Sequence, residues 1–336
     1  MNSIGIIVNP ASGKDIRRLI SYGSPVDNME KLNTVRRIFM GAMAAGIKKI
    51  YYMPEYSNIV EAAVEGIFSE HKKYFSEVEI TKIDMPISGT EADTTAAAYK
   101  MKNLQVKCVI ILGGDGTCRA AAKEIGDIPV IPVSTGTNNV FPEMTEGTIA
   151  GMVAGAYANE RLHNSEDLLI RTKRLDIYIN DTFQDIALID AVVLNEMHIA
   201  SRAVWKTENF KQIILTCCSA GYIGVSSIGG QLAEITKCEP KGLSINVDAK
   251  AEKIYSPLAP GLFVPTGVNN FKSVEIGEKV NIDCVPCIIA VDGERNIELF
   301  KEDRAYIELT WNGPKILNAR NVLAEARNKK IFFSKS

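Results

Sequence analysis

The amino-acid sequence predicts two domains: an N-terminal α/β domain with a doubly wound parallel sheet, followed by a β-sandwich-like domain. In residues 1–147, apolar strand-like runs alternate with amphipathic helices, which is the pattern of βα units. Within residues 148–317, strands of alternating polarity follow one another and are separated by Gly, Pro and Asn. The chain is therefore expected to have the mixed class α/β plus all-β.

Five strands are expected in the first domain because each is a short apolar run. They are Ile4–Val8, Lys49–Met53, Val78–Ile83, Val109–Leu112 and Pro129–Pro132. Helices are expected between them, one with Leu32, Val35, Phe39 and Ala42 on a single face and another at Ala92–Lys100. Because ligands of doubly wound sheets bind beyond the carboxyl ends of the strands, polar residues at those ends are expected to share one crevice.

The elements of the second domain follow from alternation of apolar and polar residues. Strands are expected at Arg174–Ile179, Leu243–Val247 and Asp303–Thr310. The segment Thr148–Glu160 is expected to form a helix that joins the two domains, and Ala319–Asn328 is expected to form a further helix.

The composition excludes several classes of protein. The 336 residues are 46% hydrophobic and 23% charged, which is enough to bury one large core or two ordinary ones. With a net charge of -2, the chain has no electrostatic attraction for nucleic acid or an anionic membrane. The apolar runs are too short for a membrane span, and a strand follows Met1 where a signal peptide would stand. We expect a cytoplasmic protein whose seven cysteines are reduced thiols.

A cage of protein ligands for a metal ion is not expected. Cys284 and Cys287 have the spacing of a ligand pair, but a second pair is hard to find for the four ligands of a structural zinc site. A Ser-His-Asp hydrolase is not expected either, because the sequence has no Gly-x-Ser-x-Gly segment.

The most informative segment is the one in which the strand from Val109 runs into Gly113-Gly-Asp-Gly-Thr117. Glycines allow a tight turn with exposed backbone N–H groups, and such a turn can hold phosphate oxygens. Asp115 stands beside them, where it can meet a hydroxyl group or a metal ion. These five residues alone leave open a strand-to-helix turn that binds no ligand.

A second loop follows the first strand, in Asn9-Pro-Ala-Ser-Gly-Lys-Asp15. Ser12 and Gly13 suit a tight turn, and Lys14 can supply a cation to a phosphate group. The segment is not a Walker A loop, because Val8 stands in place of the required glycine and Asp15 in place of Ser or Thr.

Two further segments place polar groups after a strand. The third loop places Thr135, Gly136, Thr137, Asn138 and Asn139 together after the strand Pro129–Pro132. Far downstream, the strand from Ile288 meets Asp292-Gly-Glu294, which by itself most often forms a hairpin turn.

In these four segments the sequence resembles the NAD kinase and diacylglycerol kinase superfamily. The Asn-Pro, Gly-Gly-Asp-Gly-Thr and Gly-Thr-x-Asn signatures are present, and Asp-Gly-Glu stands where lipid kinases have it. Segments at 15–19, 26–37, 221–230 and 258–262 are similar to the ATP-NAD kinase-like branch that includes acetoin-catabolism protein X. The resemblance extends from Gly5 to about Val322, and it implies that residues 318–336 return to pack on the first domain.

The resemblance implies a phosphotransferase that uses ATP, or polyphosphate, with Mg²⁺ bridging the phosphates near Asp115. Residues implied for the nucleotide and its phosphates are Asn9, Ser12, Gly13, Lys14, Gly113, Gly114, Gly116, Thr117, Thr135, Gly136, Thr137, Asn138 and Asn139. NAD kinases imply Asp115 as the base that acts on the 2′-hydroxyl of NAD to give NADP, whereas lipid kinases imply Glu294. Both assignments stay open at this point.

The acceptor is less well determined than the donor. Weaker candidates to bind it are Asp27, Asn28, Asn195, Glu196, Ser226, Ser227 and Asp292. The segment 224–230 keeps the hydroxyls and glycines of the NAD kinase segment but lacks its tyrosine. Alternatives to NAD are therefore a lipid, a small metabolite linked to acetoin breakdown, or a non-catalytic nucleotide-binding role. The resemblance also implies a homo-oligomer, either a dimer or a tetramer.

Overall fold

The structure is a computed structural model that describes residues 2–13, 22–23, 26–70, 78–159, 162, 166–196 and 207–333. The helices of this part of the chain are α1 (Asn28–Ala44), α2 (Ile59–Glu70), α3 (Glu91–Asn103), α4 (Asp115–Ala122), α5 (Gly147–Ala158), α6 (Ser226–Gly230) and α7 (Ala319–Asn328). None of the helices in these ranges is both long enough and apolar enough to cross a membrane.

The first unit is built on a seven-stranded, mostly parallel sheet. Its strands are β1 (Ser3–Val8), β2 (Lys49–Tyr52), β3 (Glu79–Lys82), β4 (Val109–Gly113), β5 (Val130–Ser134) and β6 (Leu169–Ile170), with β18 (Ile316–Leu317) from the end of the chain. Their order is β3-β2-β1-β4-β5-β18-β6, and β1 to β5 pair in parallel. All five strands expected from the apolar runs are present.

Helices cover both faces of this sheet. On one face, Ile6 of β1 packs in a core that includes Val153 of α5. On the other face, Ile7 of β1 packs in a core with Ala97 of α3. This second core also contains Ile189, which belongs to the second unit, so the two units share buried apolar surface.

Helices α1 and α5 cross in close contact because glycines lie at the crossing. Three of them, Gly147, Gly151 and Gly155, recur every four residues along α5. A Cβ atom on Gly151 would lie 2.0 Å from the carbonyl oxygen of Ile38 in α1. Only glycine permits two helix backbones to approach so closely. The helix that was expected to join the two domains is therefore packed against α1 as part of the first unit.

The second unit contains two antiparallel sheets. Its strands are β7 (Arg174–Ile179), β8 (Thr182–Ala187), β9 (Asp190–Leu194), β10 (Phe210–Leu215), β11 (Lys241–Val247), β12 (Lys253–Ala259), β13 (Leu262–Glu275), β14 (Lys279–Ile282), β15 (Cys287–Val291), β16 (Glu294–Leu299) and β17 (Ala305–Thr310). The sheet orders are β12-β13-β11-β10-β9-β15-β16 and β14-β17-β7-β8. Ile177 and Ile307 of the smaller sheet share one core with Val193 and Ile289 of the larger. This two-layer packing confirms the predicted class of an α/β domain followed by a β-sandwich-like domain.

The C-terminal segment returns to the first sheet, as the resemblance implied. β18 pairs in parallel with β5, and β6 pairs with β18 in the antiparallel sense. Val322 and Ala326 of α7 are buried in the core that contains α5. The expected division between residues 147 and 148 falls one residue after the start of α5, and both α5 and β6 pack with the first sheet.

Candidate active site

A cavity of about 710 Å³ lies where the carboxyl ends of β1, β4 and β5 meet the second unit. Of the residues expected at the site, those that line the cavity are Asn9, Ser12, Gly13, Gly114, Asp115, Gly116, Thr117, Gly136, Asn138, Asn139, Ser226, Asp292 and Glu294. They come from all four of the predicted segments and from the start of α6. The cavity has the size of a small-molecule site.

Hydrogen bonds between side chains tie three of these loops together. Asn9 Nδ2 donates to Thr117 Oγ1 at 2.9 Å, which joins the loop after β1 to the first turn of α4. Thr135 Oγ1 donates to Ser12 Oγ at 3.0 Å, which joins the loop after β5 to the same loop. The Ala11 amide donates to Asn9 Oδ1 at 2.9 Å. The polar side chains expected to bind phosphate therefore also fix the relative positions of the loops.

Gly113 and Gly114 are required by close contacts around the turn. A Cβ atom on Gly113 would lie 2.6 Å from Thr117 Cβ, and one on Gly114 would lie 2.8 Å from Asn139 Oδ1. Any larger residue would therefore separate the loop after β5 from the start of α4.

Asp115 is the first residue of α4, and its carboxylate is held by the loop after β5. The Val140 amide donates to Oδ1 at 3.1 Å and to Oδ2 at 3.2 Å, and the Phe141 amide donates to Oδ1 at 2.8 Å. These contacts fix the orientation of the carboxylate, and the shortest of them is made by Oδ1 rather than Oδ2.

Lys31 of α1 was not among the candidates from the sequence. Its side chain is fully buried, and its ammonium donates to the carbonyl oxygens of Asn9, Pro10 and Ser12 at 3.1, 2.9 and 2.7 Å. One buried cation therefore contacts three carbonyl groups of the loop after β1.

Asp292 lies in the tight turn between β15 and β16, as the expected hairpin requires. The φ angle of Asp292 is 47° and that of Gly293 is 80°, so both residues have the left-handed backbone conformation. Its buried carboxylate accepts hydrogen bonds from the amides of Leu188, Ile189 and Asp190, at distances between 2.8 and 3.3 Å. The turn is thereby fixed to the loop that precedes β9.

Arg119 lies one helical turn after Asp115 and is 1% exposed. Its guanidinium contacts Glu91 of α3 at 2.9 Å and Asp185 of β8 at 3.0 Å, and its Nε lies 3.8 Å from Asp292 Oδ2. Burial raises the pKa of Asp292 to about 6, and the Arg119 charge opposes that rise. A buried network of charges thus connects the two units beside the cavity.

Glu294 and Ser226 stand on the second-unit side of the cavity. Glu294 begins β16 and is exposed, and no hydrogen bond from the described part of the chain reaches its carboxylate. Ser226 is 1% exposed, and its hydroxyl has no hydrogen-bond partner within the described ranges. Buried polar groups are usually hydrogen-bonded, so this hydroxyl is an exception at the border of the cavity.

Four of the expected residues from these same segments do not line the cavity. Gly113 and Thr135 are buried within the turns, and Thr137 is exposed. The Ser227 hydroxyl donates to the carbonyl oxygens of Gly224 and Pro257 at 2.6 and 3.2 Å. Ser227 therefore holds the segment before α6 in place, while Ser226 lines the cavity.

The other acceptor candidates do not line the cavity. Asp27 accepts a hydrogen bond from the Glu30 amide at 2.8 Å and caps α1, and Asn28 Nδ2 donates to Ser57 Oγ at 3.3 Å. Asn195 is exposed, and Glu196 accepts a hydrogen bond from Asn209 Nδ2 at 3.1 Å. Lys14 lies outside the described residues.

Residues that follow β2 and β3 form a further side of the cavity, which was not expected from the sequence. Its polar members are Glu55, Tyr56, Thr90, Glu91, Asp93 and Thr94. Glu55 is buried and accepts hydrogen bonds from the amides of Ser57 and Ile59. Asn9 was expected at the site because it is a polar residue just past the carboxyl end of a strand. Glu55 follows β2 in the same way and could have been predicted on the same ground.

No group of three or more His, Cys, Asp or Glu side chains in the described ranges is arranged to hold a metal ion. The carboxylates of Asp115 and Glu294 are nevertheless hard oxygen donors of the kind that Mg²⁺ prefers. A magnesium ion that enters with a polyphosphate would take its remaining ligands from phosphate oxygens and water.

Two family descriptions match successive parts of the chain. Residues 4–160 match the ATP-NAD kinase N-terminal domain. Residues 173–312 match the acetoin catabolism protein X C-terminal domain. The first match contains the loops after β1, β4 and β5, and the second contains Ser226, Asp292 and Glu294.

Similar proteins come from bacteria and yeast. Acetoin catabolism protein X of Cupriavidus necator is 34% identical over 313 residues, which cover 91% of this chain and 87% of that protein. The NAD kinase of Agathobacter rectalis is 26% identical over 236 residues, which cover 66% of this chain and 78% of that kinase. Yeast NADH kinase complexed with NADH superposes with a TM-score of 0.51 at 14% identity, covering 99% of this chain and 88% of that one. This last similarity bears on the fold alone.

Proposed function

Because this chain belongs to the family of acetoin catabolism protein X and has an NAD kinase domain, we propose that its phosphotransferase activity converts NAD to NADP. In this reaction the 2′-hydroxyl of the adenosine ribose receives the terminal phosphoryl group of ATP. The observation that carries the proposal is that four separate segments converge on one cavity, which the two candidate catalytic residues Asp115 and Glu294 both line.

We assign the donor phosphates to the loops after β1 and β4. The backbone of Gly114 and Gly116 and the first turn of α4 supply hydrogen-bond donors on one wall of the cavity, beside the 9–13 loop. When bound, Mg²⁺ would be held mainly by phosphate oxygens near Asp115 and would neutralise charge on the transferred group. Inorganic polyphosphate is the alternative donor.

We assign the role of base to Asp115. Two backbone amides hold its carboxylate in one orientation, so that an oxygen can accept the proton of an incoming hydroxyl group. We assign Ser226 to the acceptor side, because it lines the cavity from the second unit and its buried hydroxyl has no partner within the described ranges.

One observation favours a second candidate, a smaller hydroxyl acceptor without an adenine ring. The wall formed by Ile223, Gly224, Val225 and Ser226 has no aromatic side chain where NAD kinases carry a tyrosine. For such an acceptor the exposed Glu294 would be the base, as it is in lipid kinases.

The test is NADP formation by the purified full chain with NAD, Mg²⁺ and either ATP or polyphosphate. Asp115→Asn serves as the inactive control because the amide oxygen can still accept hydrogen bonds from Val140 and Phe141. Turnover that is lost in the control would support the proposal and identify the donor.

The absence of NADP above the control would reject NAD as the acceptor. ATP consumption would then be followed across small diols and diacylglycerol, with Glu294→Gln as the control. Tight ATP binding without transfer to any of these acceptors would leave a nucleotide-binding regulator as the remaining role.

A further inference from the structure

Lys31 is one of the largest fully buried side chains of this protein, and its contacts are made to the loop after β1. A Lys ammonium offers three donors, and the carbonyl oxygens of Asn9, Pro10 and Ser12 accept from it. Burying a charged group costs free energy that must be offset by such contacts. The methyl group of a methionine at this position would leave the three carbonyls without that donor.

We propose that Lys31 is a positioning residue for the phosphate donor. Its buried ammonium holds the 9–13 loop in the shape that receives a polyphosphate chain, and it places a fixed positive charge behind that loop. This inference rests on the proposed function only in the assignment of donor phosphates to the loop.

The charge on the cavity wall supports this role. The described residues that line the cavity include the carboxylates of Glu55, Glu91, Asp93, Asp115, Asp190, Asp292 and Glu294 but no Lys or Arg side chain. A polyphosphate would bring further negative charge into the cavity, so positive charge just behind the wall is favourable.

The effect of the Lys31 charge extends to a residue of the cavity wall. Burial raises the pKa of Glu55, and among the weaker influences the positive charge of Lys31 opposes that rise. A cation that acts on Glu55 from behind the wall acts on a bound phosphate in the same way.

The chain offers a matched control in Lys173. This side chain is 1% exposed and donates to the carbonyl oxygens of Thr236 and Lys241. None of these three residues lines the cavity. Lys31→Met and Lys173→Met therefore each remove a buried ammonium from backbone carbonyls, but only the first affects the donor site.

The experiment measures binding of inorganic tripolyphosphate with Mg²⁺ to the full chain by titration calorimetry. We expect Lys31→Met to weaken binding by about tenfold or more, because a charge and the loop geometry are lost together. We expect Lys173→Met to bind like the wild type, although the melting temperature of both variants falls. Equal binding by the two variants would overturn the inference.

Chemical rescue separates the charge from the shape of the side chain. Lys31→Ala leaves a space that ethylammonium can enter, so added ethylammonium is expected to restore part of the tripolyphosphate binding. Ethanol at the same concentration is expected to restore none. Equal rescue by the two compounds would overturn the role of the charge.

Hydrogen exchange on the wild type provides a measurement that needs no variant. Tripolyphosphate is expected to slow amide exchange in residues 9–13, and the absence of both binding and protection would overturn the inference. Tripolyphosphate binding without NADP formation would instead reject NAD as the acceptor and leave the role of Lys31 intact.

Discussion

Arg119 Nε lies 3.8 Å from Asp292 Oδ2, and this pair joins the two units beside the cavity. Arg119 belongs to α4, one turn after Asp115, and Asp292 lies two residues before Glu294. The separation of the two candidate catalytic carboxylates therefore depends on a buried ion pair between an α/β element and a β-hairpin.

Arg119→Met is expected to destabilise the fold by about 3–5 kcal/mol, because it leaves buried carboxylates without their cation. We also expect kcat to fall more than KM rises, since the helix that begins with Asp115 loses its ionic contacts with the second unit. Urea denaturation and steady-state kinetics measure the two effects, and Arg119→Lys should recover part of each.

The control for this variant is an ion pair on the surface. Lys315 contacts Asp127 at 2.7 Å, with side chains 39% and 93% exposed. Lys315→Met should cost less than about 1 kcal/mol, because water screens exposed pairs. A similar loss of stability in the two variants would contradict the importance of the buried network.

Asp292 is expected to give the folded protein a specific pH dependence. Burial raises its pKa from 3.8 to about 6, against the opposing charge of Arg119. Because the folded state holds this proton more tightly than the unfolded state, the contribution of Asp292 to stability falls as pH rises from about 4 to 6. Asp292→Asn removes that decline.

The measurement compares the slope of unfolding free energy against pH for the wild type and Asp292→Asn. The wild-type slope should be the more negative of the two within this window, whatever the absolute stabilities are. Parallel curves would show that Asp292 does not take up a proton in the folded state.

Asp115→Asn and Glu294→Gln distinguish the two assignments of the base. With NAD as the acceptor, we expect Asp115→Asn to lower kcat by about 10²-fold or more, because a general base is lost. Glu294→Gln should retain most of the activity. The reverse ranking in NADP formation would move the base to Glu294 and weaken the NAD kinase assignment.

Gly151→Ala tests the close crossing of α1 and α5. The added Cβ would lie 2.0 Å from the Ile38 carbonyl oxygen, so the helices must separate. We expect a loss of about 1–3 kcal/mol in urea denaturation. Gly116→Ala is the matched control because its Cβ would have no neighbour within 4 Å.

Gly116→Ala is expected to keep the stability of the wild type within about 1 kcal/mol, since alanine is favoured over glycine in a helix. A stability loss equal to that of Gly151→Ala would show that the helix crossing is not the sensitive feature. Gly116 also lines the cavity, so the variant should be compared by denaturation and not by activity.

Local signals in the sequence were sufficient for the strands of the first sheet and for the loops that follow them. Apolar runs correctly predicted the strands β1, β4 and β5, and the glycines of the Gly113–Thr117 turn predicted the end of β4. Ser226 and Ser227 look alike in sequence, yet Ser226 lines the cavity and the Ser227 hydroxyl bonds to backbone carbonyls. Their difference depends on how the segment before α6 packs against β12.

The sequence by itself determined the two-unit architecture and the order of the four site segments, because chain periodicity and turn chemistry act over a few residues. Only the tertiary structure decided that Lys31 contacts the loop after β1 and that Arg119 reaches Asp292. These partners are separated by 21 residues in the first case and lie in different units in the second. Both contacts form only in the folded chain. A buried charged side chain needs such partners, because its burial otherwise costs free energy.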